Sequence, residues 1–156
     1  MRKVVKILWT AALWGSLVLA ASGAWAQNPE AQKFMAEGGQ HLEKGQFDQA
    51  IALYKKAIAK EPRSAVAYNM LGMAYRFKYN QVRSQDLKNQ EIAAFQKAIE
   101  IDPNYWVALI NLGVTYNGLG DKAKAAPLFK KALTLKPDHP ERAELEKIIK
   151  EGEKKK

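Results

Sequence analysis

His41 and His139 are the only histidines in this 156-residue chain, and cysteine is absent altogether. Without thiols the chain has no disulfide, no thiolate nucleophile, no thiolate zinc site and no cysteine to carry a lipid. A metal centre needs ligands that converge, and neither histidine is followed by a second ligand at helical spacing. A structural role for His41 is a simpler reading than ligand or base. Glu43 with Asp48 and Glu91 with Glu100 are the acidic pairs that general acid–base work would require. They fall near expected helix ends, where solvated or dipole-compensating charge is the simpler reading. No glycine-rich phosphate loop or nucleophile elbow is found. The residues therefore nominate no catalytic group, no metal and no cofactor, and the expectation is a protein that is not an enzyme.

The basic residues allow two readings. Lysine and arginine total 25 against 16 aspartates and glutamates, a net charge of +9. For Lys55, Lys56, Lys60, Lys130, Lys131 and Lys136 the simpler reading is solvated surface charge. Nucleic acid would call for basic residues interleaved with exposed aromatics or a groove-entering helix, and neither pattern occurs. An acidic partner or an anionic surface, held through the lysines, remains as an alternative function.

The first 26 residues differ from the rest. Arg2, Lys3 and Lys6 precede an uncharged apolar run from Ile7 to Ala20, and Ala24-Trp25-Ala26 follows as a small-x-small site. This order matches a cleavable export signal, 1–26, cut after Ala26. The expected location is periplasmic or secreted. An uncleaved inner-membrane anchor is the alternative, since residues 7–26 make about 20, enough to span a bilayer. Cleavage removes three basic residues and leaves a net charge of +6.

The elements that would position any partner come from a repeat. Gly38, Gly72 and Gly113 correspond, the latter two within Leu71-Gly72-Met73-Ala74-Tyr75 and Leu112-Gly113-Val114-Thr115-Tyr116. Ala57, Ala98 and Ala132 correspond too, each five residues before Pro62, Pro103 and Pro137 and three after Tyr54, Phe95 and Phe129. The glycine intervals are 34 and 41, and the proline intervals 41 and 34. The period is thus 34, with seven residues inserted once between Tyr75 and Phe95. Seven residues are about two helical turns, so the insertion can lengthen both helices of the middle hairpin by about a turn and keep their faces in phase. The enlarged turn is expected over 78–89.

A small residue where two helices cross, an aromatic opposite it and a closing proline form a self-consistent helical hairpin. Ser64 and Asn104 are candidate caps of the helices that follow the prolines. Gly45 and Gly120 suit the turns within the outer hairpins. Beyond Pro137, Asp138 and Glu141 make a capping-box-like pattern with Pro140 in the first turn, and Leu145, Ile148 and Ile149 make one apolar stripe.

These spacings resemble the tetratricopeptide repeat (TPR) family over residues 31–139. The resemblance implies an all-α fold, a right-handed α-solenoid of three TPR helical hairpins plus a C-terminal capping helix. The repeats fall at about 31–64, 65–105 with the insertion, and 106–139. The segment 140–156 supplies the cap, which wets the end of the stack, and a basic tail.

The resemblance also implies a concave groove lined by the first helix of each hairpin. In this sequence those positions are Met35, Gly39 and Leu42, then Asn69, Met73, Arg76 and Phe77, then Val107, Ile110, Val114 and Asn117. Methionine and phenylalanine adapt to irregular apolar surfaces, and asparagine can hold a peptide backbone. The implied function is a protein–protein interaction scaffold that takes a peptide or protein segment. Family members that bind chaperone tails clamp a terminal carboxylate with lysine, arginine and asparagine. Here the corresponding positions hold Met35, Gly39, Met70, Val107 and Asn111, none of them basic, which argues against that ligand. A membrane is expected to matter only through an uncleaved signal or weak electrostatics, and self-association through an end face is a further expectation.

Overall fold

A computed structural model describes residues 28–154, so the export signal lies outside the described residues. Seven helices follow one another: α1 (Pro29–Glu43), α2 (Phe47–Lys60), α3 (Ala65–Val82), α4 (Gln85–Ile101), α5 (Trp106–Gly118), α6 (Lys122–Leu135) and α7 (Arg142–Glu153). They form three hairpins, α1/α2, α3/α4 and α5/α6, with α7 packed on α6. No helix among the described residues is long and apolar enough to cross a membrane.

The start signals are local. The Asn28 side chain accepts from the backbone N–H groups of Glu30 (2.9 Å) and Ala31 (3.2 Å), with Pro29 at the first helical position. Ser64 accepts from Ala67 N at 3.3 Å and caps α3, as its position after Pro62 predicts. Asp121 accepts from Lys124 N at 3.0 Å and caps α6. Asn104 does not cap α5: the helix starts one residue later, behind Tyr105, with no side-chain cap. The expected capping box before α7 is also absent, because Pro140 stays outside the helix. There the His139 ring Nδ1 accepts from Glu141 N at 3.2 Å.

Each hairpin tip turns through one left-handed residue: Gly45 (φ 71°), Arg83 (φ 54°) and Gly120 (φ 79°). Glycine adopts this conformation freely, and arginine does so only against steric resistance. The seven inserted residues enlarge the helices and not the turn. Helix α3 has 18 residues and α4 has 17, against 13 to 15 in the other two hairpins, and only Arg83 and Ser84 link them. The expected loop over 78–89 is therefore almost entirely helical.

The core is built from small residues facing large ones. Ala50, Ala57, Ala98, Ala125 and Ala132 are fully buried, as are Tyr54, Phe95 and Phe129. One apolar cluster joins Ile51, Tyr54, Leu71, Tyr75 and Ala94, with Met35 and Leu42 packed against it. A second joins Phe129, Leu133, Leu145, Ile148 and Ile149, so the predicted stripe of the last helix is buried against α6. Gly152 completes that contact, since a Cβ there would overlap the Lys122 carbonyl oxygen.

Candidate interaction surface

Charge is buried where α3, α4 and α5 meet. Glu91 is 0% exposed. Its Oε1 accepts from Arg76 Nε at 2.8 Å and from the Thr115 hydroxyl at 2.6 Å, and its Oε2 accepts from Lys88 Nζ at 2.5 Å. A carboxylate can be buried this way because several charge-assisted hydrogen bonds replace its water. Arg76 also donates through Nη1 to Asn111 Oδ1 (3.1 Å) and through Nη2 to the Asn111 carbonyl (2.6 Å) and Thr115 Oγ1 (2.9 Å). Asn111 Nδ2 in turn donates to Asn69 Oδ1 at 2.9 Å. The Arg76 guanidinium lies over the Phe95 ring, 4.9 Å from its centroid. One arginine thus ties the second hairpin to the third.

This network corrects the reading of Glu91 as a solvated or dipole-compensating charge. Glu91 occupies a position where the repeat pattern has a small residue, and that substitution was its one sequence signal. Lys88, three residues before it, and Arg76 supply the balancing charge. Sequence reasoning gave no role to Lys88, Thr115 or this pairing with Asn111.

The groove residues expected from the repeat fall into different settings. Met35 and Leu42 pack against the first core cluster and Ile110 against the second. Asn69 is 3% exposed and held by Asn111, while Arg76 is held as described. Phe77 stacks on Phe47 with ring centroids 5.7 Å apart. Asn117 keeps a buried Oδ1 without a hydrogen-bond partner. Gly39, Met73 and Val107 are half-buried, with open space beside Gly39, and Val114 is 43% exposed. Arg76 and Val114 line one cleft, and Met73 Sδ lies 3.9 Å from Arg76 Nη1.

The other candidates take structural positions. The His41 ring Nδ1 is 2.6 Å from Gln46 Oε1, which ties the end of α1 to the turn. Glu43, Asp48 and Glu100 are exposed, with Asp48 paired to Lys78 and Glu100 to Lys97. Lys55, Lys56, Lys60, Lys130 and Lys131 are exposed on second helices, as the repeat resemblance implies; Lys136 is half-buried and pairs with Asp138.

Comparison with known proteins agrees with this geometry. The family described as "TPR repeat" matches residues 38–76, and "Tetratricopeptide repeat" matches residues 106–139. No curated protein matches the chain. Among solved structures, the Sgt2 TPR domain from Aspergillus fumigatus is 20% identical, with a TM-score of 0.67, over 83% of this chain and 81% of that one. The TPR2B domain of yeast Sti1, in its pHsp70 complex, is 21% identical with a TM-score of 0.67 over 83% of this chain and 100% of that one. The first TPR of Spaghetti, bound to an HSP90 peptide, is 22% identical with a TM-score of 0.66 over 76% and 90%. The chain is an all-α stack of tetratricopeptide repeats.

Proposed function

We propose that the chain is a non-enzymatic interaction scaffold that docks a peptide or protein segment on the exposed face of its first helices. The observation that carries this is Val114 on the third hairpin's first helix, 43% exposed at the edge of a cleft that the ordered Arg76 also lines. Monomeric solenoids of this kind bury one face of each first helix in the stack and leave the other facing the groove. The solved TPR domains bound to HSP90 and HSP70 peptides support a segment as the ligand class. The five positions where chaperone-tail binders carry their clamp have no lysine or arginine here, so the ligand is a different one. The leader pattern supports export, and with it a role in assembling or positioning an envelope or secretion complex.

The test is affinity capture from envelope extract with the full chain as bait, against the variant Met73→Glu with Val114→Glu. Loss of salt-resistant captured protein with a folded double variant is the expected result; undiminished capture overturns the groove assignment. The exposed lysines of α2 and α6 favour a second reading, attachment to an anionic surface or acidic partner. That reading requires capture that collapses as salt is raised.

A further inference from the structure

The cleft between α3, α4 and α5 has a volume of about 240 Å³ and is lined by Arg76, Arg83 and Lys88 with Glu91 as its acidic group. Three cations share one carboxylate, and both oxygens of that carboxylate are already engaged. The C-terminal ends of α3 and α5 lie at the cleft, and their dipoles contribute about −0.5 charge each. The N-terminus of α4 adds about +0.5, and its N-cap Ser84 makes no capping hydrogen bond. Positive charge remains in excess after all of these are counted.

Arg83, which is exposed, is the cation of the three that Glu91 does not pair. It forms no ion pair among the described residues, and its guanidinium lies 5.6 Å from the centroid of the Tyr79 ring. Lys88 Nζ lies 3.9 Å from the centroid of the same ring. A neutral ring attracts two cations but cannot neutralise them. Arg83 sits there at a backbone angle that glycine takes in the other two hairpins, at the link formed by the lengthened helices. Beside the charged floor, Val114 and Leu119 are 43% and 50% exposed. A water occupies about 30 Å³, so the cleft has room for a side chain.

Building on the docking function above, we propose that this cleft seats the carboxylate of an aspartate or glutamate from the docked segment, with its apolar neighbours on Val114 and Leu119. The cleft is separate from the five clamp positions, none of which lines it. A free phosphate or a lipid headgroup would satisfy the charge but leave the apolar rim unused, which is why an acidic peptide is the occupant.

The test titrates the isotope-labelled full chain with the peptide acetyl-Ala-Leu-Glu-Leu-Ala-amide and with its glutamine counterpart, followed by NMR. The expected result is saturable shifts at Arg83, Lys88 and Leu119, with at least fivefold weaker response to the glutamine peptide. Arg83→Gly suits the turn and keeps the fold, yet erases the preference; Arg83→Lys retains it. Equal response to both peptides, or no shift at Arg83 and Lys88, overturns the proposal. So does a response to inorganic phosphate or to phosphatidylglycerol vesicles when the glutamate peptide gives none. If the cleft fails while envelope capture is still lost with the groove double variant, the docking function stands and only the acidic specificity falls.

Discussion

A Cβ placed on Gly72 would lie 2.6 Å from Cε1 of Phe95, and the same relation holds between Gly38 and Tyr54 (2.6 Å) and between Gly113 and Phe129 (2.5 Å). Each hairpin is closed by an aromatic ring packed directly against a glycine. The distance between its two helices is set there, because neither a larger residue nor a smaller ring fills the same space. Gly72→Ala is expected to destabilise the chain by about 1–3 kcal/mol through overpacking, read as a lower urea midpoint. Phe95→Leu in the same chain should return part of that loss, whereas two independent defects would add.

Removing the charge on Glu91 leaves Arg76 and Lys88 without a counter-ion in a largely buried place; their side chains are 18% and 10% exposed. Breaking a buried pair from one side costs about 3–5 kcal/mol. Glu91→Ala is therefore expected to lower unfolding free energy by about that amount in chemical denaturation. The triple change Glu91→Leu, Arg76→Met and Lys88→Met should be far milder, because no charge is left unpaired.

Tyr54 has a buried hydroxyl with no hydrogen-bond partner, where the other hairpins carry phenylalanine. Burial, and then the Glu43 carboxylate, raise its pKa above the ordinary tyrosine value. An acid with a raised pKa in the native state holds its proton more tightly folded than unfolded. The associated stability is complete below about pH 10 and is lost as pH climbs through the native value. Tyr105 shifts the same way, through burial and Asp102. Tyr54→Phe is expected to gain about 1 kcal/mol at neutral pH by removing an unsatisfied polar group, and to flatten the alkaline decline in melting temperature.

Helix α7 docks through a backbone contact that admits no side chain. A Cβ on Gly152 would meet the Lys122 carbonyl, and the Ala126 Cβ at 2.9 Å. Lys122 pairs with Glu151 and Lys130 with Glu153 around the same contact. Gly152→Ala should release the helix, exposing Leu145, Ile148 and Ile149, and limited proteolysis should then cut within 136–150 at rates well above those of the parent chain. Unchanged cleavage would show that the apolar stripe and the two ion pairs hold the helix without the close backbone fit at Gly152.

The repeat was legible because its marks are steric. Gly72, Phe95 and Pro103 each have one physical reason to stand where they do, and three copies at a 34-residue period make chance agreement improbable. The insertion was legible for the same reason: two offset intervals locate it without any alignment. Helix caps were less so. Asn104 has the right residue type, but the chain turns one residue later, and the energy separating those starts is about that of a single hydrogen bond. Glu91 was misread because two of its three partners, Arg76 and Thr115, come from α3 and α5, and side-chain pairing across helices leaves no periodic trace. Gly152 stood unnoticed near the C-terminus because its meaning depends on a carbonyl 30 residues away.

The docked α7 also decides how copies of this solenoid can meet. A head-to-tail fibre is a heterologous assembly, which needs two different end faces that fit each other, repeated without closure. Among the described residues the apolar face of the third hairpin is covered by the chain's own last helix, with Gly152 set against the Lys122 carbonyl. A second copy extending the stack at that end would first have to displace α7.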